Sequence, residues 1–168
     1  LLQSHEDVQF FLPRAHTIER SELEAFISER NVPVTITEDH TYDLMQICDV
    51  CLAASGTATL ETAMMELPTV LLYKVSPITY GIGKMVVNLT HVGLPNIVAG
   101  KEVIPELLQD DVSVDAIVNT VLPLLDDLHI NQSMRTELRG VKEKLGESGA
   151  VNRVAQLIYD LGKERINE

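Results

Sequence analysis

The chain's 168 residues suit one ordinary domain or half of a two-domain protein, and its 45% hydrophobic and 23% charged residues supply a core and exclude disorder. Thirteen Lys and Arg against 25 Asp and Glu leave a net charge of −12, which argues against a nucleic-acid partner, whose phosphates need a basic surface. The charge is uneven: residues 69–109 hold three basic and two acidic side chains, whereas residues 1–68 hold three and 12. A near-neutral, apolar centre reads either as buried core or as a face that meets phosphate or lipid.

The opening Leu1-Leu2-Gln3-Ser4-His5-Glu6-Asp7 has neither the basic nor the apolar part of a signal peptide, and it lacks an initiator Met, so a piece of something longer is expected. Leu1 to Ser4 reads as the tail of a helix and Val8 to Leu12 as a strand ending at Pro13. A doubly wound sheet would place a first strand and its ligand-binding loop before that helix. Ser21 and Glu24 have capping-box spacing and open a predicted helix to about Glu29. A strand over residues 32–37, a short helix from Tyr42 to Ile47 and an apolar strand from Asp49 to Ala53 follow.

Ser55-Gly56-Thr57 then turns into a helix running to Met65, which Pro68 closes, and Thr69 to Tyr73 is the next strand. Pro77 starts an apolar helix to about Leu89 in which Lys84 is the only charge, so it is buried, faces a partner or meets lipid. Weaker elements lie around Asn96–Val98, read as a buried strand, and Pro105–Leu108. Helices are predicted over Val114–Leu125, Ser133–Leu145 and Ala150–Leu161. Strands alternating with helices, rich in β-branched residues and poor in polar ones, specify an α/β fold: a Rossmann-like parallel sheet covered on both faces, with a helical C-terminal tail. Residues 1–125 are expected to form the sheet domain without its first strand and loop. Residues 126–168 are expected to pack on it or cross to another domain.

Chemistry concentrates at two places. In Ala54-Ser55-Gly56-Thr57-Ala58-Thr59-Leu60-Glu61 a buried strand delivers small residues to a helix N-terminus, whose free N–H groups and positive dipole end form an anion site. Thr57 and Glu61 share one helix face, and a carboxylate one turn deep suits a sugar diol better than a phosphate. The plainer reading is a helix capped by Ser55 or Thr57 with Glu61 on the surface. In Leu94-Pro95-Asn96-Ile97-Val98-Ala99-Gly100 and Pro105-Glu106-Leu107-Leu108-Gln109, the amides Asn96 and Gln109 suit sugar hydroxyls and phosphate oxygens, or else serve turn chemistry around a strand. Cys48-Asp49-Val50-Cys51 enters a buried strand rather than opening a helix, so neither redox nor zinc chemistry is expected. The five histidines show no ligand spacing, and the sequence contains no G-x-S-x-G, Walker A or G-x-G-x-x-G motif.

The segments Ser55–Glu61, Tyr73-Lys74-Val75-Ser76-Pro77-Ile78-Thr79-Tyr80, Leu94–Gly100 and Glu106-Leu107-Leu108-Gln109, in this order and spacing, resemble the C-terminal half of lipid-A-disaccharide synthases. These are glycosyltransferases of the two-domain GT-B architecture. The resemblance implies transfer from UDP-2,3-diacylglucosamine to 2,3-diacylglucosamine 1-phosphate (lipid X), giving a β-1,6 disaccharide and UDP. This half would grip the donor through Ser55 and the amides of Gly56 and Thr57 at the diphosphate, and through Glu61 at the ribose. Asn96, Glu106 and Gln109 would contact the donor's phosphate or sugar.

Neither metal nor cofactor is implied. The general base belongs to the family's N-terminal domain and a glycine- and arginine-bearing loop to its first strand, both absent here, so the chain alone is expected to bind UDP weakly and catalyse nothing. Acylated substrates imply a peripheral position at the cytoplasmic face of the bacterial inner membrane. The stripe Val151, Val154, Leu157, Ile158 and Leu161 is either left exposed or pairs with another copy as a homodimer. The competing expectations are a UDP-sugar 2-epimerase-like isomerase and a non-catalytic nucleotide-sugar-binding module.

Overall fold

The computed structural model describes residues 1, 5, 7–54, 56–75, 91–146 and 149–166, so Ser55 and the helix expected over Pro77–Leu89 lie outside the described residues. Strands and helices alternate as β1 (Phe10–Pro13), α1 (Arg20–Arg30), β2 (Val34–Thr37), α2 (Thr41–Ile47), β3 (Cys51–Ala53), α3 (Gly56–Met64), β4 (Thr69–Tyr73), α4 (Leu94–Ala99) and β5 (Glu106–Leu108). A 3-10 turn at Gln109–Asp111 leads to α5 (Val114–Asp126), α6 (Leu128–Leu145) and α7 (Ala150–Ile166).

Every strand pairing is parallel. β1 lies beside β2 with Phe10 opposite Val34, and β3, β4 and β5 form a second ladder with Ala53 opposite Leu71 and Tyr73 opposite Leu108. The expected sheet thus appears as two ladders among the described residues.

Alternation along β4 sends neighbouring side chains to opposite faces, and each face meets its own helices. Leu71 packs with Ala63, Val103, Ile104, Leu138 and Val141, joining α3, the segment before β5 and α6. Val70 packs on the other side with Val121 and Leu124 of α5. The three-stranded ladder is therefore the covered layer, and truncating Leu71, which is 1% exposed, removes contacts worth about 2–5 kcal/mol. By contrast, α1 and α2 bury no residue, and the α7 stripe is open to solvent, with Val151 81% and Leu157 62% exposed.

Several local expectations are corrected. Glu19 rather than Ser21 stands at the N-cap of α1, and Glu24 pairs with Arg20 at 2.7 Å instead of reaching back to a cap. Ile97 and Val98 lie in helix α4 rather than in a strand. Pro95 in the first turn presets helical φ, and Gly100 at φ +74° supplies the left-handed stop. Helix α6 starts at Leu128 rather than Ser133, because the Asp127 carboxylate accepts hydrogen bonds from the amides of His129 (2.8 Å) and Ile130 (3.3 Å).

The turn from α3 to β4 is bolted to α6. Glu66 takes a left-handed φ of 55°, and its carboxylate accepts from Arg139 Nη2 at 2.9 Å and Lys142 Nζ at 3.3 Å, while its carbonyl accepts from Arg135 Nη1 at 3.1 Å. The Asn131 amide donates to the carbonyls of Asp49 and Leu124 and accepts from Arg135, joining α5, α6 and the entry to β3. The Arg139 hydrogen bond, with Lys142 behind it, holds the Glu66 carboxyl below its ordinary value of 4.5. A depressed folded-state pKa contributes stability that is complete above the ordinary value and is lost as pH falls through it. Glu66→Gln should therefore lower Tm slightly at pH 7, the pair being partly exposed, and the difference should shrink as pH falls below 4.5 and on through the depressed folded value. Thermal melts of both proteins across that range test this.

Candidate functional site

The carboxyl ends of β3, β4 and β5 lie along one edge of the covered ladder, the edge at which open α/β sheets bind ligands. Helix α3 starts there at Gly56, directly after β3, so its first amides and its positive dipole end are presented at that edge. A chain of threonines fixes its orientation. Buried Thr59 donates to Gly56 O at 2.6 Å, buried Thr62 donates to Thr59 O at 3.0 Å, and the Thr69 hydroxyl of β4 lies 2.8 Å from the Thr62 hydroxyl. Thr59 and Thr62 carry no signal of this role in the sequence beyond their one-turn spacing on the face opposite Glu61.

Gly56 does not serve the fold by being glycine. A Cβ added there would meet only Leu94, at 3.7 and 3.9 Å, which is ordinary contact, and its φ is not left-handed. Thr57 is exposed and Glu61 half-buried, and neither side chain makes a hydrogen bond or ion pair among the described residues. Among the described residues, nothing therefore occupies these two side chains.

The other three predicted residues are engaged internally. Asn96 is completely buried, and all four of its hydrogen-bonding positions are filled: Oδ1 accepts from Val103 N (2.7 Å) and Ile104 N (2.9 Å), and Nδ2 donates to Ile104 O (2.9 Å) and Glu106 Oε1 (2.7 Å). The Glu106 carboxylate also accepts from Val92 N and Gly93 N, each at 2.9 Å, so β5 ties down the entry to α4. Gly93 is required here by packing, since a Cβ would come within 3.1 Å of Glu106 Oε1 and 3.3 Å of Leu71. Gln109, at φ +50°, uses its side-chain amide as a strand uses its backbone: Oε1 accepts from Val75 N at 2.8 Å and Nε2 donates to Val75 O at 3.2 Å. Leu94, the first residue of α4, lies where a side chain at Gly56 would meet it, so the two groups of predicted residues border one wall.

Burial pushes the Cys51 thiol up to about 11 and raises that of Cys48 as well, which leaves both as thiols near neutrality. Among the described residues, no group of three or more His, Cys, Asp or Glu is placed to hold a metal ion, and no helix is long and apolar enough to cross a membrane.

A family model described as lipid-A-disaccharide synthetase matches residues 1–158. Curated relatives named lipid-A-disaccharide synthase include that of Geobacter sulfurreducens, 43% identical over 165 residues, covering 98% of this chain and 43% of the relative. Those of Syntrophotalea carbinolica and Geobacter metallireducens are 36% identical over 171 residues and 39% over 166, covering 99% and 98% of this chain and 44% and 43% of their own lengths. The chain thus spans less than half the length of these relatives.

The saturated environment of Asn96 predicts that Asn96→Ala costs about 2–4 kcal/mol, since it orphans the buried amides of Val103 and Ile104. Asn96→Asp should be comparably damaging, because it sets a carboxylate against Glu106 and the Ile104 carbonyl. Urea midpoints of both variants against the parent check this.

Proposed function

Because this chain belongs to the lipid-A-disaccharide synthetase family, we propose that it forms the donor site of a hexosyltransferase, which joins UDP-2,3-diacylglucosamine to 2,3-diacylglucosamine 1-phosphate and releases UDP. The observation that carries the proposal is the start of α3 at the carboxyl edge of the ladder, where the fold does not require Gly56 to be glycine and where Glu61, one turn further along, has no partner among the described residues. The α3 amides at Gly56 and Thr57 take the diphosphate, together with Ser55, which precedes them in the sequence. The helix end offsets charge that grows on the departing UDP, the preorganised stabilisation that a metal ion supplies elsewhere. Glu61 accepts hydrogen bonds from the ribose hydroxyls.

Asn96, Glu106 and Gln109 serve the donor by holding the wall beside it, since their polar atoms are engaged with the chain itself. The acceptor hydroxyl attacks the anomeric carbon from the side opposite UDP, with inversion. The general base and the acceptor pocket belong to polypeptide beyond this chain, so this chain alone binds donor without turnover. Its acylated substrates place the reaction at the cytoplasmic face of the inner membrane, which it meets peripherally. The relatives' shared name supports the transferase over an epimerase.

Calorimetric titration of UDP tests the donor site. The parent should bind, and Glu61→Ala should weaken binding about tenfold, the worth of one good hydrogen-bond contact. Gly56→Ala should keep the parent's Tm yet lose at least about tenfold in affinity, because only a ligand requires the missing Cβ. Absence of UDP binding by the parent, or equal binding by all three proteins, would refute the assignment.

A further inference from the structure

Lys74 follows β4 directly and is exposed. Among the residues whose side chains the structure describes, it is the only lysine or arginine with no hydrogen bond, ion pair or ring contact. That isolation stands out in a chain with 25 carboxylates for 13 cations, where even well-exposed Arg20, Arg30 and Lys101 find an acidic partner.

Its backbone is held while its side chain is left over. On one side Tyr73 lies in the ladder opposite Leu108, and on the other Val75 is clasped through both its N–H and its C=O by Gln109, at 2.8 and 3.2 Å. Strand order places it on the same sheet edge as the donor helix. The last pair of β3 and β4 is Ala53–Leu71, and beyond it α3 begins at Gly56 while Lys74 follows the end of β4, so both leave the carboxyl edge from neighbouring strands. Counting from Tyr73–Leu108, Lys74 stands level with Gln109. β3, β4 and β5 are neighbours in one parallel ladder, so the start of α3, Lys74 and Gln109 all stand at its carboxyl edge.

We propose that Lys74 supplies the counter-charge for the donor's diphosphate, and that Gln109 is the residue that positions it. The proposal rests on the UDP-sugar reading above and names the group that takes the charge of the departing UDP. A helix end contributes only about half an elementary charge, well short of what a nucleoside diphosphate carries. An ammonium on a flexible stem is a point charge suited to non-bridging phosphate oxygens.

The test crosses a ligand truncation with side-chain substitutions, using UDP and uridine with the parent, Lys74→Ala, Lys74→Arg and Gln109→Ala, followed by NMR-monitored titration. Lys74→Ala should keep the parent's Tm, weaken UDP about tenfold and leave uridine unchanged. Its UDP affinity should also fall less with added salt than the parent's does. Lys74→Arg should restore most of the loss. Gln109→Ala should weaken UDP but add little when combined with Lys74→Ala, since both act through one contact.

Equal loss for UDP and uridine in Lys74→Ala, or no loss for either, would overturn the proposal. If Lys74→Ala matches the parent while Glu61→Ala still weakens UDP, the donor site stands and Lys74 has no part in it. If the parent fails to bind UDP, the donor-site reading falls and the Lys74 assignment falls with it.

Discussion

Burying an asparagine is tolerable only if every one of its donors and acceptors is met, and Asn96 meets that condition with groups from three residues, Val103, Ile104 and Glu106. Its Oδ1 gathers the amides of Val103 and Ile104, and its Nδ2 reaches the Ile104 carbonyl and the Glu106 carboxylate. The same carboxylate holds Val92 and Gly93. A half-satisfied version of this network would be worse than an apolar core, so helix α4, the turn after it and strand β5 take up their places together or not at all. Leu94 then lies where a side chain at Gly56 would meet it, and the position of the wall beside α3 follows from that placement.

Two kinds of polar residue are thus separated by what remains available to a ligand. Asn96, Glu106 and Gln109 spend their hydrogen bonds inside the molecule, whereas Thr57, Glu61 and Lys74 have spent none among the described residues. A preformed site needs both, since unspent groups bind well only when spent ones hold their backbones still. The threonine chain does this for α3, and Gln109 does it for the end of β4. The Glu66 turn extends the same arrangement to α6, whose Arg135, Arg139 and Lys142 converge on one residue in a left-handed conformation.

Order of this kind is confined to the β3-β4-β5 ladder and the helices covering it. Helices α1 and α2 bury nothing, and α7 keeps an apolar stripe in water. The relatives are more than twice as long as this chain, and exposed apolar stripes in one part of a protein are surfaces on which further polypeptide can close.

The sequence by itself determined the class of fold, because β-branched runs alternating with helical stretches have few ways to bury themselves other than a parallel layer between helices. It determined β4 as Thr69–Tyr73 and the α3 start at Gly56, where apolar run, small residues and flanking proline agree. Motif order, rather than any visible geometry, singled out Ser55, Gly56, Thr57, Glu61, Asn96, Glu106 and Gln109 as candidate donor residues. The sequence misjudged Ile97-Val98, where two β-branched residues outweighed the Pro95 and Gly100 that bound a helix, and Ser21, where a local spacing had no backbone amide to meet. Only the tertiary structure decided which of the site residues turn inward and which stay free. Asn96 and Glu106 meet each other and the backbone on either side of α4 once that segment folds back on itself, and Gln109 meets Val75 because β4 and β5 pair in parallel. Register is set by packing between segments far apart in the chain, so no pattern within any one of them reveals it.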